Sequence, residues 1–206
     1  AAQARLPLFA CQGAAARLIL ASTDYALVRR WKQMAPESAT VLWMGGTEQA
    51  LEARFAELRR SGFAGVTQLQ IHVRPDADGT LHPSAEFLTR AGAELRRHGI
   101  LFQVFPWNCR DRAVFFRLLD LGVASFASDY PDATLEYVRQ YYGAARACAH
   151  RGDQDAAPEN TLPAIRSAVE KGARQIEFDV KFTRDRRLVI LHDPTLNRTT
   201  NGRGPL

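Results

Sequence analysis

Short apolar runs of strand length alternate along the chain with stripes of apolar residues at helical spacing. Leu18 to Ser22 predicts a strand, and Leu27, Val28 and Trp31 mark the helix that follows Asp24 and stops before Pro36. Thr40 to Met44 repeats the pattern, with Gly45-Gly46 as the turn, Thr47 as a cap and Leu51, Phe55 and Leu58 as the buried stripe. Gly65 to Val73 predicts a third strand, then a polar loop (RPDADGTLHPS) and a helix carrying Phe87, Leu88, Ala91 and Leu95 that ends at Gly99. Ile100 to Phe105 and Val123 to Ser128 are the fourth and fifth strands; Val114, Phe115, Leu118 and Leu119 mark the helix between them, and Leu135, Val138 and Tyr142 the helix after the fifth.

A sixth strand opens at Arg146, Thr161 caps a helix with Pro163 in its first turn, and Gln175 to Val180 is the seventh strand. Leu188 to Leu191 returns as an arm after the turn at Thr183-Arg184-Asp185. Seven strands and six helices joined by short loops predict a parallel α/β sheet. The absence of a Gly-rich dinucleotide turn favours a TIM-type (β/α)8 barrel, permuted or incomplete, over a doubly wound sheet. In such barrels the chemistry sits at the C-terminal strand ends, which is where Asn108, Asp129, His150, Glu177 and Asp179 fall.

At 206 residues and 46% hydrophobic content, the chain has the means to bury one sizeable core. The net charge of +5 is spread without a basic stripe, so no nucleic-acid partner is expected despite a pI near 9.4. Cys11, Cys109 and Cys148 are odd in number and far apart, which fits neither a disulfide framework nor a zinc site and favours a reducing, cytoplasmic setting. No apolar run is long enough to span a membrane, and the first residues lack the order of a signal peptide.

The chemically informative residues crowd between Ala149 and Gly204. Glu177 and Asp179 are two apart on a strand, so both carboxylates share a face, with Ile176, Phe178 and Val180 turned toward the surrounding helices. Two carboxylates side by side suit a hard divalent cation, Mg²⁺ or Ca²⁺, although a solvated or Arg-paired strand explains the same spacing. Imidazole exchanges protons near neutral pH, so His150 and His192 suit an acid/base pair for phosphodiester cleavage, while either alone reads more readily as a structural histidine. Arg151 offers a planar fork for phosphate oxygens, Gly152 lets the backbone approach a ligand, and Glu159 is placed to orient Arg151. Trp107 and Asn108 are candidates for the pocket mouth; His72, His82 and His98, with no matching carboxylates, are read as structural or surface residues.

Four segments together resemble the amino-terminal signature of the glycerophosphodiester phosphodiesterase family: HRG at 150–152 with PENT at 158–161, IEFDV at 176–180, TRD at 183–185 and LVILHDPTLNRTTNGRG at 188–204. Residues 18 to 142 resemble the same family's carboxy-terminal part, through a strand ending in Ser-Thr-Asp, a Gly-strand-Asn segment at 99–108 and an ending at Leu121 to Asp132, with Phe105-Pro106-Trp107-Asn108 where the family usually shows Trp-Thr-Val-Asn. The resemblance implies a TIM-type barrel that hydrolyses small-molecule glycerophosphodiesters to glycerol 3-phosphate and an alcohol with a divalent cation. It implies His150 and His192 as the acid/base pair, Arg151 as a phosphate ligand and Glu177 and Asp179 as metal ligands; Gly152, Glu159, Asn108 and Trp107 are read from their placement as the further substrate-side residues. The family's third acidic ligand, in a Glu-x-Lys segment, has no counterpart here. A related sphingomyelinase-type phospholipase D resembles the same His, Glu-x-Asp, His layout, and a non-catalytic phosphate-binding barrel is the remaining alternative.

The family's two parts thus stand in reversed order, residues 1–147 before residues 148–206. Either one barrel is permuted, or the chain spans the end of one domain and the start of a tandem second. Gly143-Ala144-Ala145 is short for an interdomain linker, which favours a single sheet. Seven strands close the usual eight-stranded barrel only if the strand at Gln175 pairs with that at Leu18, or another segment or a second copy fills the gap. Ala1 and Leu206 are expected near that gap.

Overall fold

The computed structural model describes residues 18–141 and 146–206. Its backbone is one parallel sheet running in chain order: β1 (Leu20–Ser22), β2 (Thr40–Met44), β3 (Gln68–Pro75), β5 (Leu101–Pro106), β6 (Ser125–Ser128), β7 (Arg146–His150) and β8 (Gln175–Glu177). Six helices alternate with these strands: α1 (Tyr25–Met34), α2 (Glu48–Arg60), α3 (Ala85–Arg97), α4 (Arg112–Asp120), α5 (Pro131–Gln140) and α6 (Leu162–Glu170). The seven parallel strands curl into an incomplete TIM-type barrel. Among the described residues β1 and β8 do not pair with each other, so both are edges. The expected junction strands do pair, with Ser125 to Ser128 opposite Arg146 to Ala149. Ala1, Cys11, Tyr142 and the segment at 143–145 lie outside the described residues.

Side-chain alternation sorts the sheet into two faces. Leu69, Ile71 and Val73 of β3 join Leu42 and Met44 of β2, Phe102 and Val104 of β5 and Phe126 of β6 in the core under the helices. The helices meet it with Val28, Leu51, Phe55, Leu58, Leu88, Leu95, Phe115 and Leu118. Burying a side chain of this kind contributes about 1.5–3 kcal/mol. Leu27, expected in the α1 stripe, is instead exposed, because Tyr25 and Val28 take the sheet-facing positions.

Helix starts follow local chemistry: Asp24, Thr47, Ser84, Asp111 and Thr161 each accept a first-turn N–H. The loop after β3 is not structureless. Leu81–His82 forms a short β4 that returns antiparallel to Arg74 and Pro75, and His82 Nε2 lies 2.8 Å from Asp76 Oδ2, so this histidine has the carboxylate partner that its sequence context had not shown. His98 caps α3 at the surface against the Phe63 ring, at 4.5 Å.

The expected strand from Gln175 to Val180 is divided. β8 ends at Glu177, and β9 (Val180–Phe182) pairs antiparallel with β10 (Leu188–Ile190) in a separate hairpin around the Thr183 turn. The break has a visible cause: the Asp179 N–H is taken by Asn160 Oδ1 at 3.1 Å and the Asp179 carbonyl by the Leu191 N–H at 3.1 Å, so neither serves the main sheet. Phe178 and Val180 consequently do not face helices; both are exposed, as are Phe182, Leu188 and Ile190. Among the described residues, no helix is long and apolar enough to cross a membrane. Among the described residues, Cys109 and Cys148 are buried thiols in no disulfide.

Candidate active site at the strand ends

The β6–β7 and β7–β8 registers put the polar residues into one patch. Ser128 lies opposite Ala149, so the next pair is Asp129 and His150; His150 in turn lies opposite Glu177. His150 Nδ1 is 2.5 Å from Asp129 Oδ1, and Nε2 is 3.9 Å from Glu177 Oε2. The Phe105 ring covers one face of the imidazole at 4.5 Å.

Beyond His150 the chain turns sharply. Arg151 and Gly152 both have positive φ, 57° and 89°, and a left-handed non-glycine residue costs roughly 1–2 kcal/mol. Backbone bonds hold the turn: Arg151 N–H donates to the Glu177 carbonyl and Asn160 N–H to the Arg151 carbonyl, both at 2.9 Å. At Gly152 a Cβ would sit 2.8 Å from the Ala164 backbone, so the close approach of this turn to α6 excludes any side chain. The fork of Arg151 is thereby aimed at two acids. Its Nη1 donates to Glu159 at 3.1 Å, as the sequence reading expected of Glu159, and its Nε sits 3.1 Å from Asp179 Oδ2 at ion-pair distance without hydrogen-bond alignment.

Glu177 is the strained member of this group. Burial pushes its carboxyl above the ordinary glutamate range and the Asp179 charge adds to that, while His150 and Arg151 pull it back. Among the described residues its Oε1 is buried with no hydrogen-bond partner, and Oε2 accepts only a long bond, 3.3 Å, from the Arg151 N–H. An orphaned carboxylate oxygen of this kind fits a hard cation. Asp179 has Oδ2 committed to Asn160 Nδ2 at 2.9 Å. Among the described residues no three His, Cys, Asp or Glu side chains assemble into a metal-holding group, so the donors present amount to a pair.

His192 lies after β10 and is more exposed than His150. Its Nδ1 is 2.8 Å from Asp193 Oδ1, and Arg198 donates to both Asp193 and Glu159 at 2.7–2.9 Å. A hydrogen bond from His192 to Asp193 and ion pairs from Asp193 through Arg198 and Glu159 to Arg151 thus form one chain. Trp107 and Asn108 sit at the neighbouring end of β5: Trp107 is half exposed beside His72 and Arg74, and Asn108, at φ 50°, accepts from the Tyr130 hydroxyl at 2.5 Å. Reasoning by residue type missed Gln154, Asn160 and Arg198. Asn160 and Arg198 were visible as parts of the PENT and LNRTT segments, but nothing in their spacing said what they would hold.

The loop between β7 and α6 is pinned from below. Asp153 is fully buried, and its Oδ2 accepts from Lys171 Nζ at 2.7 Å and from Ser167 at 2.5 Å. Burial alone would push this carboxyl up, but the Lys171 and Ser167 bonds hold it below the ordinary aspartate range. A depressed folded value means that the pair stabilises the fold above the unfolded pKa, roughly 3.9, and that this is lost as pH falls through the folded value. Lys171→Met, which strands a buried carboxylate, is expected to lower stability at pH 7 by about 2–3 kcal/mol. Urea titrations at pH 7 and pH 3 check it: the gap between wild type and variant should shrink at the lower pH, and equal gaps would mean that Asp153 is not held by this ion pair.

An α/β protein of incomplete TIM-type barrel architecture, with a His-Arg-acid cluster on its C-terminal strand ends, is the class that fold and site define. Residues 150–206 match the model of the "Glycerophosphoryl diester phosphodiesterase family". The matching segment is 55% identical over 56 residues to a glycerophosphodiester phosphodiesterase of Caldanaerobacter subterraneus subsp. tengcongensis, covering 27% of this chain and 23% of that protein. It is 53% identical over 60 residues to human glycerophosphodiester phosphodiesterase 1, covering 29% and 18% respectively. The chain thus spans less than a quarter of the length of these relatives. By structure, 73% of the chain superposes on 57% of a 2,3-dimethylmalate lyase of the PEP mutase/isocitrate lyase superfamily with a TM-score of 0.51 at 14% identity, a likeness of fold alone.

Proposed function

We propose that this chain carries the catalytic part of a metal-dependent phosphodiesterase that hydrolyses small glycerophosphodiesters to glycerol 3-phosphate and an alcohol. The observation that carries the reading is the convergence of Arg151, Glu177 with its orphaned oxygen, and Asp179 beside His150, linked through Glu159, Arg198 and Asp193 to His192. In the same reading, residues 1–147 are the family's carboxy-terminal part placed ahead of its amino-terminal part in one barrel.

Glu177 and Asp179 would hold the cation, Mg²⁺ or Ca²⁺, with water and substrate oxygens completing its shell. When bound, the cation polarises the phosphoryl group and offsets its charge. Arg151 offers its remaining guanidinium donors to phosphate oxygens and is kept from swinging away by Glu159. Of the two histidines, one takes the proton from the attacking hydroxyl as its oxygen bonds to phosphorus. The other gives a proton to the alcohol oxygen as its bond to phosphorus breaks. Attack by water gives products in one step; attack by the substrate's own neighbouring hydroxyl gives a cyclic phosphate first. In this reading Trp107 and Asn108, at the end of β5, would meet the glycerol or alcohol group.

A second reading, lipid phosphodiester cleavage of the sphingomyelinase type, draws on the exposed apolar hairpin beside Asp179 and His192, where Phe182 is 66% exposed with Val180, Leu188 and Ile190 around it. One assay separates the two. Release of choline from glycerophosphocholine, with added Mg²⁺ or Ca²⁺, is the expected result; release only from sphingomyelin or lysophosphatidylcholine vesicles would favour the lipid reading, and none from any substrate would leave a phosphate-binding module.

A further inference from the structure

We infer that Asp129 is the positioning residue for His150, fixing its proton on Nδ1 so that Nε2 is the nitrogen that exchanges protons; the inference rests on the phosphodiesterase reading for its catalytic consequence. Asp129 follows β6 and His150 ends β7, and the pairing of Ser128 with Ala149 brings the next residues face to face. The side chains meet with Nδ1 and Oδ1 2.5 Å apart, both groups mostly buried.

The direction of the proton follows from counting donors. Gln154 Nε2 also donates to Asp129 Oδ1, at 2.8 Å, and to the His150 carbonyl, at 3.1 Å. Two nitrogens converge on one oxygen that already accepts an amide hydrogen, and an ionised carboxylate only accepts. Nδ1 therefore carries the hydrogen and the neutral ring presents a bare Nε2. That nitrogen lies on the Glu177 side, 3.9 Å from Oε2. Phe105 against the ring face and Gln154 bridging the acid and the His150 backbone leave the imidazole little freedom to turn. A carboxylate behind a proton-transferring imidazole sets the tautomer and stabilises the imidazolium formed in the reaction. His192, tied to Asp193 in an exposed position, lacks so enclosed a support.

The arrangement also binds the two stretches of sequence into one site. The acid comes from the first stretch and the histidine from the second, so the segment that matches the family model lacks the group that orients its own first histidine.

The test reads the tautomer and the kinetics separately, on the full chain. Nitrogen-15 correlation spectra of wild type, with His150 assigned by comparison with His150→Gln, are expected to show Nδ1 protonated and Nε2 bare at a pH where the ring is neutral. Asp129→Ala should abolish that preference and lower kcat on glycerophosphocholine about 10²-fold, with KM within about threefold. Asp129→Asn keeps the shape but can turn its NH2 group toward Nδ1, so it should move the proton to Nε2 and recover little of the loss. Gln154→Leu, which leaves the carboxylate in place, should lower kcat less than Asp129→Ala does. An Nε2-protonated ring in wild type, or wild-type kcat in Asp129→Ala, would overturn the inference. If wild type itself turns over no phosphodiester, the functional reading fails while the tautomer still decides the role of Asp129.

Discussion

His150→Ala and His192→Ala should each lower phosphodiester turnover by about 10² or more while leaving the fold intact, the range expected when a positioned acid or base is removed. The environments of the two rings make the expectation uneven. His150 is held by Asp129 and Phe105 at the centre of the cluster, and its Nε2 has no closer role to play in stability. His192 is exposed and tethered only through Asp193, so its truncation leaves no cavity in the core. Steady-state kinetics with circular dichroism as the control for folding give the answer, and a variant that keeps more than about a third of wild-type turnover takes that histidine out of the mechanism.

Removing the cation should have the larger effect still: excess chelator is expected to abolish turnover, and Glu177→Gln to weaken cation binding. Glu177 connects the two results. Its carboxyl is pushed up by burial, so keeping it ionised costs folding stability above the ordinary glutamate range, and that cost is absent at lower pH where both states are protonated. A divalent cation bound at the orphaned oxygen would relieve the cost; an amide relieves it by having no charge. Cation-free Glu177→Gln should therefore melt at or above the wild-type Tm at pH 7, and added Mg²⁺ should raise Tm in wild type but not in the variant. Undiminished turnover in chelator, or a Tm indifferent to cation in wild type, would move the chemistry off a metal.

Much of this protein could be read from residue order alone. The alternation of β-runs with helical stripes, broken by Gly62, Gly99, Gly122 and Gly172, specifies seven parallel strands and six helices because each element must bury one face and each turn needs a residue that tolerates it. Capping by Thr47 and Thr161 is local chemistry and appeared where it was expected. The segments at 150–152, 158–161, 176–180 and 188–204 lie within the part of the chain that matches the family model, and their polar residues are ones that no packing argument requires.

The pairings across the sheet were decided only in three dimensions. That Glu177 and Asp179 would be neighbours follows from a two-residue spacing, yet whether the strand continued past Glu177 depended on Asn160 reaching across to take the Asp179 N–H. Phe178 and Val180 read as core residues from their apolarity, and are exposed because a strand is buried only where another element covers it. Arg198 and Glu159 are 39 residues apart, and Asp129 and His150 are 21 apart. Neither distance is a period of a helix or a strand. Sequence determines which residues an element presents on a face; register between strands, set by the packing of the whole sheet, decides which of those faces meet, and it is the meeting of Asp129, His150, Arg151 and Glu177 that makes a site out of residues that singly have ordinary structural explanations.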